Sequence, residues 1–306
     1  MGFTNPVYDD NFADPQVIAV GNVYYAFATN GKLGNVQTLK SADLVSWERV
    51  GDALPSLPDW TAPGRVWAPE IAVHAPDRYV MYYTTRDLAA GRQCLGVAVA
   101  STPEGPYVDK SSEPFISQAD EGGSIDASPF QDSTGRRWLY WKNDGNAIGV
   151  DTWIYVSELS ADGLTLTGPV RRLIKQDLEW EGSLVEAPYM VERDGKFHLF
   201  YSANAFDKAA YAVGHALCES PVGPCTKSGD PILASSADAA GPGHNMVLHQ
   251  GDRDWFVYHA WDPAKAGTDP KGRTMWLSEL TWDGDRPIVQ PPLRDNPAQR
   301  RLTSRT

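Results

Sequence analysis

The 306-residue sequence predicts an all-β chain folded as a five-bladed β-propeller with four antiparallel strands per blade. Three observations predict it. Turn signals rich in Gly, Asp, Asn and Pro punctuate the whole length. No long 3.6-residue apolar period interrupts them, so helices should be few. The pattern also repeats: Pro103, Gly105 and Pro106 return 118 residues later as Pro221, Gly223 and Pro224, two periods of about 59.

Taken in order, the five units open with "DPQVIAVGNVYYAFATN", "PEIAVHAPDRYVMYYTTRD", "DASPFQDSTGRRWLYWKND", "EAPYMVERDGKFHLFYSAN" and "HNMVLHQGDRDWFVYHAWD". Each reads as a short strand, a tight turn and an aromatic-rich strand. A third strand follows, then a later turn ("SADLVSW", "STPEGP", "SADGL", "ESPVGP", "TWDGD") and a fourth. A β-sandwich or a two-domain all-β chain is the runner-up, and neither explains so regular a period. Residues 1–306 therefore read as one propeller domain with blades starting near 14, 70, 126, 186 and 244.

Composition narrows the function. A formal charge of −12 argues against nucleic acid, whose phosphates need clustered Lys and Arg, and against an anionic membrane surface. No apolar run is long enough to span a bilayer. A neutral substrate fits better, and eleven Trp with thirteen Tyr suit sugars, although most such aromatics serve as strand and core residues. The opening "MGFTNPVYDD" has neither a basic nor an apolar leader region, so the chain as written reads as cytoplasmic, or as secreted if a signal has been removed from it. Cys218 and Cys225 flank the turn "ESPVGP" and can face each other across two strands; whether they are bridged stays open. Cys94 stands alone, and no spacing suggests zinc.

The residues that open the units are Asp14, Glu70, Asp126, Glu186 and His244, at steps of 56, 56, 60 and 58. The first strand of every propeller blade lines the axis, and all five run the same way. Four carboxylates and a histidine should therefore converge on one funnel, where mutual repulsion raises at least one pKa. Strand 2 returns toward that end, so the strand 2–3 loops surround the funnel, with Asn143 and Asn204 among their candidate sugar-binding groups. The connections between blades bring Trp67 there as the leading candidate for a wall. Paired carboxylates in a neutral, aromatic pocket suggest glycosidic bond cleavage: one acid protonates the leaving oxygen, and a second activates water or attacks carbon. No nucleophile elbow, phosphate loop or HExxH helix competes with this.

Five motifs in order, "NFADPQVI", "WAPEI", "GSIDASPF", "VEAPYM" and "GPGHNMV", resemble glycoside hydrolase family 43 over essentially the whole chain. The resemblance implies a five-bladed propeller that hydrolyses arabinans, arabinoxylans and xylosides with inversion. It implies Asp14 as general base, Glu186 as general acid, and Asp126 as the group that tunes and orients the acid, although Ala127 stands where the family more often has Pro. Arg273 of "KGRTMW" resembles an arginine that contacts the sugar, and Glu70 is given a structural or substrate-positioning role. His244 resembles an axial histidine that in many members sits by a calcium ion or its water shell; a hydrogen-bonded histidine without metal is the equal alternative. No cofactor is required for the chemistry.

The partner implied is a neutral oligosaccharide or polysaccharide containing arabinose or xylose, with arabinan or arabino-oligosaccharides foremost and α-L-arabinofuranosidase the leading activity. The alternatives are β-D-xylosidase, β-D-galactofuranosidase and a sugar-binding propeller without catalysis. A retaining, invertase-type relative is disfavoured, because such propellers usually carry Glu-Cys where this chain has Glu186-Ala187.

Overall fold

The computed structural model describes residues 3–296 and has the expected architecture. Blade 1 is Gln16–Val20, Val23–Ala28, Gln37–Ser41 and Glu48–Asp52. Blade 2 is Thr61–Ala75, Arg78–Asp87 and Gln93–Ala100. Blade 3 is Ser124–Gln131, Arg137–Asn143, Trp153–Leu159 and Arg171–Lys175. Blade 4 is Val185–Arg193, Lys196–Ala203, Ala212–Cys218 and Cys225–Lys227. Blade 5 is Ala240–Gln250, Arg253–Trp261, Thr274–Asp283 and Arg286–Val289. Strands pair in chain order within each sheet.

Blade 2 departs from the expected four strands. Its fourth position is reduced to isolated bridges, Val99 with Val108 and Leu95 with Ile116. Pro103, Pro106 and Pro114 interrupt this segment. Each removes a backbone donor that a continuous ladder would use.

The second strands read as almost unbroken apolar runs, such as "YVMYY", because a blade is covered on both faces. Alternate side chains then enter different interfaces. Tyr79, Met81 and Tyr83 pack toward blade 1, whereas Val80 and Tyr82 pack toward blade 3. Five buried clusters result, one between each pair of adjacent blades. The repeat extends to a cross-strand pair. Tyr83 faces Gly96 and Tyr201 faces Gly214. A Cβ on either glycine would lie 2.5 Å from its tyrosine ring, so only glycine fits there.

The ring closes through the N-terminal segment. Phe3–Thr4 pairs with Asp295–Asn296, and the Asn5 side chain bonds both the N–H and the C=O of Leu277 at 2.9 Å. This ties the segment before blade 1 onto blade 5.

Cys218 and Cys225 are bridged across the outer strands of blade 4. Non-reducing mass spectrometry should recover them in one linked peptide, and reduction should cost no more than about 2–3 kcal/mol because the enclosed loop is short. Two free thiols in protein made under oxidising conditions would contradict the pairing. Cys94 is buried, and burial pushes its thiol up to about 12, so it should resist alkylation in the native state.

Candidate active site

The inner strands do not simply begin at the funnel; each kinks there. Asp14, Ala68, Asp126, Ala187 and His244 have positive φ, between 43° and 59°, one in every blade. Non-glycine residues seldom adopt this conformation, and each costs about 1–3 kcal/mol unless its surroundings enforce it. A kink also takes a backbone N–H out of its ladder, and that donor then needs an acceptor.

The preceding blade supplies the acceptor. Thr29 Oγ1 accepts from Ala68 N, Thr84 Oγ1 from Asp126 N, Asp126 Oδ2 from Ala187 N and Ser202 Oγ from His244 N, all within 2.8–3.1 Å. In the fifth case His259 Nδ1 accepts from Asp14 N at 3.1 Å. His259 is thus a neutral acceptor. Burial, then the charge of Arg273, push its imidazolium down to about 3.

These kinks reset the register read from sequence. Asp14, Asp126 and His244 sit on the kink, Glu186 one residue before it, and Glu70 two residues past it. Those first four groups line one pocket of about 350 Å³ together with Trp67, Lys142, Asp144, Phe206 and Arg273. Glu70 does not join them. Two residues along a strand is one layer deeper on the same face, where Glu70 is buried and accepts from Ser128 Oγ at 3.0 Å. Burial holds its carboxyl well above the usual range, the Ser128 hydroxyl opposing the rise and the nearby Asp126 adding to it.

Asn143 and Asn204 are likewise absent from the pocket lining. Asn143 donates to the carbonyls of Glu121 and Asp151 and accepts from Trp153 N. Asn204 donates to Trp180 O and accepts from Ala205 N. Both amides hold loop backbone in place.

The three pocket carboxylates sit in different surroundings. Arg273 donates to Asp14 Oδ1 at 2.8 Å, His244 Nδ1 lies 3.3 Å from the same oxygen, and Thr29 donates to Oδ2. Burial alone would raise Asp14, but the Arg273 charge, aided by His244, holds it well below the ordinary carboxylate range. Asp126 is the opposite. Burial lifts it, His244 pulls it back and Glu186 adds to the rise, so that its carboxyl is held above the ordinary range. Its Oδ2 accepts from Ala187 N at 3.0 Å, which ties it to the residue after Glu186.

Glu186 is held at both oxygens, by Tyr211 Oη at 2.7 Å and by Lys142 Nζ at 3.2 Å. The glycine of "GPGHN" makes room for this. A Cβ on Gly243 would lie 2.0 Å from the Tyr211 ring. That ring stacks on His259 with 5.8 Å between centroids.

The residues 3–287 match the family described as Glycosyl hydrolases family 43. The chain belongs to glycosyl hydrolase family 43. A relative from Aspergillus niger, the β-D-galactofuranosidase xynD, is 30% identical, with 83% of this chain and 75% of that protein covered. An extracellular exo-α-(1→5)-L-arabinofuranosidase from Streptomyces chartreusis is 28% identical over 88% of this chain and 85% of its own. The chain spans 50% of the length of two further relatives. Among solved structures, a thermostable family-43 glycoside hydrolase superposes with a TM-score of 0.86 at 30% identity, covering 96% of this chain and 97% of the other. The protein is a family 43 glycosidase.

The axial calcium that the family resemblance suggests would sit by His244, directly or through its water shell. Calcium takes six to eight oxygen ligands. Among the described residues no three His, Cys, Asp or Glu side chains converge to hold an ion. His244 meanwhile has Nδ1 turned to Asp14 and Arg273 close beside that carboxylate.

Sequence reading missed Lys142, Tyr211, Thr29 and His259. Lys142 did leave a signal: it is a lone cation in "WLYWKN", a strand buried on both faces. Tyr211 and Thr29 left none, since their roles depend on where kinked strands from two blades meet.

Proposed function

We propose that this glycosidase is an inverting, exo-acting α-L-arabinofuranosidase. The observation that carries the reading is the split among the carboxylates of one small pocket: Asp14 is held ionised by Arg273, while Asp126 lies against the segment that carries Glu186. A group kept as a carboxylate can take a proton from water. A carboxyl on the facing blade can give one to a leaving oxygen.

In this reading the sugar sits between Trp67 and Phe206, whose ring is half exposed at the pocket rim. Water oxygen bonds to C1 as the C1–O bond to the leaving group breaks. Its proton passes to Asp14, and Glu186 protonates the departing oxygen. Asp126 accepts from Ala187 N and so fixes the orientation of Glu186. A volume near 350 Å³ lies at the small end of ligand sites, about 300–1,000 Å³, which suits a terminal residue better than the middle of a polymer.

A second reading, β-D-galactofuranosidase, is favoured by the xynD relative. The two sugars have the same ring configuration and differ in the exocyclic arm, one carbon longer in galactofuranose. Discrimination therefore reduces to room and hydrogen bonding at that arm. Nitrophenyl glycosides of α-L-arabinofuranose, β-D-galactofuranose and β-D-xylose compare the candidates directly. Preference for arabinofuranose in kcat/KM supports the reading, and preference for either other sugar replaces it.

The charge on Arg273 also sets the acid limb. Because Asp14 must be ionised to act, and Arg273 holds it low, activity should persist as pH falls through ordinary carboxylate values near ~4. Arg273→Met should move that limb upward, since removing the cation makes the carboxyl easier to protonate. A pH profile of kcat/KM whose acid limb stayed in place would contradict the pairing.

A further inference from the structure

Lys142 presents a physical problem. Its ammonium is fully buried, and it lies 3.2 Å from the oxygen of a group read here as a proton donor. A buried lysine is stable only when its charge is paired and its donors are used. Lys142 meets both conditions: Nζ donates to Asn146 Oδ1 at 2.6 Å and to Glu186 Oε2 at 3.2 Å, and Asp144 Oδ1 stands 3.8 Å away. The lysine enters from the second strand of blade 3 and Glu186 from the first strand of blade 4. The contact therefore crosses a blade boundary at the pocket wall.

The chemistry of acid catalysis makes sense of this. As the C1–O bond breaks, the proton leaves Glu186 for the glycosidic oxygen, and the carboxyl becomes a carboxylate inside a pocket with little water. A cation already fixed beside it stabilises that charge as it appears, with no reorganisation at the moment of reaction. Lysine suits the place because one of its three donors can stay tethered to Asn146 while another serves Glu186. A purely structural role would need only a counter-charge, which the nearby Asp144 offers; it would not need the ammonium to reach Glu186.

We propose that Lys142, anchored by Asn146, is a positioning residue that assists Glu186 in giving up its proton to the leaving group. The inference rests on the reading of Glu186 as the acid. It predicts a dependence on leaving group, because a dinitrophenolate departs without protonation whereas a sugar hydroxyl does not.

Lys142→Met should lower kcat on a disaccharide by about tenfold to a hundredfold, the worth of one charge-assisted hydrogen bond. The loss on the dinitrophenyl glycoside should be several-fold smaller, and on the disaccharide it should fall on kcat and not on KM. Lys142→Arg should recover part of the loss. Asn146→Ala, at an exposed position and so safe for folding, should show the same split at smaller size. Equal losses on both substrates, or a raised KM with kcat retained, would overturn the inference and make Lys142 a packing or sugar-contacting group. Glu186→Gln, assayed in parallel, separates the two claims. If it shows the split and the Lys142 and Asn146 variants do not, the inference about Lys142 is wrong. If none of them shows it, the assignment of Glu186 as the acid is wrong, and the inference falls with it.

Discussion

Asp14→Asn should abolish hydrolysis of every substrate, good leaving group or poor. General bases typically contribute about 10²–10⁴-fold. His259 is neutral but spends Nδ1 on the Asp14 amide, and Glu70 lies a layer below the pocket. The substituted amide can keep its carbonyl oxygen on Arg273 and turn its NH2 to the Thr29 hydroxyl, which can accept, so the fold should survive and circular dichroism should be unchanged. Added azide should restore little, because the residue activates water and leaves no vacancy for a nucleophile at carbon. Steady-state turnover on an aryl and a natural glycoside reads both points. Near-normal turnover on either would remove Asp14 from the reaction.

Glu186→Gln should give the second largest effect and a different pattern. Turnover of natural linkages should fall by about 10²–10⁴-fold, and turnover of a dinitrophenyl glycoside far less, since its leaving group needs no proton. Glutamine can keep its carbonyl oxygen on Lys142 and donate its NH2 to the Tyr211 hydroxyl, the two groups that hold the carboxyl in the native protein. Loss of geometry is therefore not an alternative explanation. A uniform loss across leaving groups would make Glu186 a nucleophile or a structural group instead of the acid.

The architecture was readable from sequence because a propeller writes its period into the chain. The strand-2 runs, the paired turns at Pro103 and Pro221, and the nearly even steps from Asp14 to His244 all follow from repeating one blade. The funnel was readable for the same reason, since equivalent strand ends must meet at the axis.

The exact register was not. A one-residue or two-residue offset separates Glu186 and Glu70 from the kinks at Ala187 and Ala68, and this decides that Glu186 faces the pocket while Glu70 lies beneath it. Positive φ at alanine or aspartate has no signature in a single sequence. The partners of the acids were hidden too. Thr29, Lys142 and Tyr211 come from neighbouring strands and loops, and nothing local marks them except a charge in an apolar strand. Asn143 and Asn204, polar loop residues near the funnel, bond loop backbone and do not line the pocket, which a single sequence does not show.

The central claim is that Asp14 activates water on one side of the sugar while Glu186 protonates the leaving oxygen on the other, a single displacement across the axis. Proton NMR of the first-formed sugar tests it most directly. An α-L-arabinofuranoside should release the β-anomer, with the α-anomer growing in only by mutarotation. The α-anomer appearing first would mean two displacements, would make Asp14 a nucleophile, and would contradict the account.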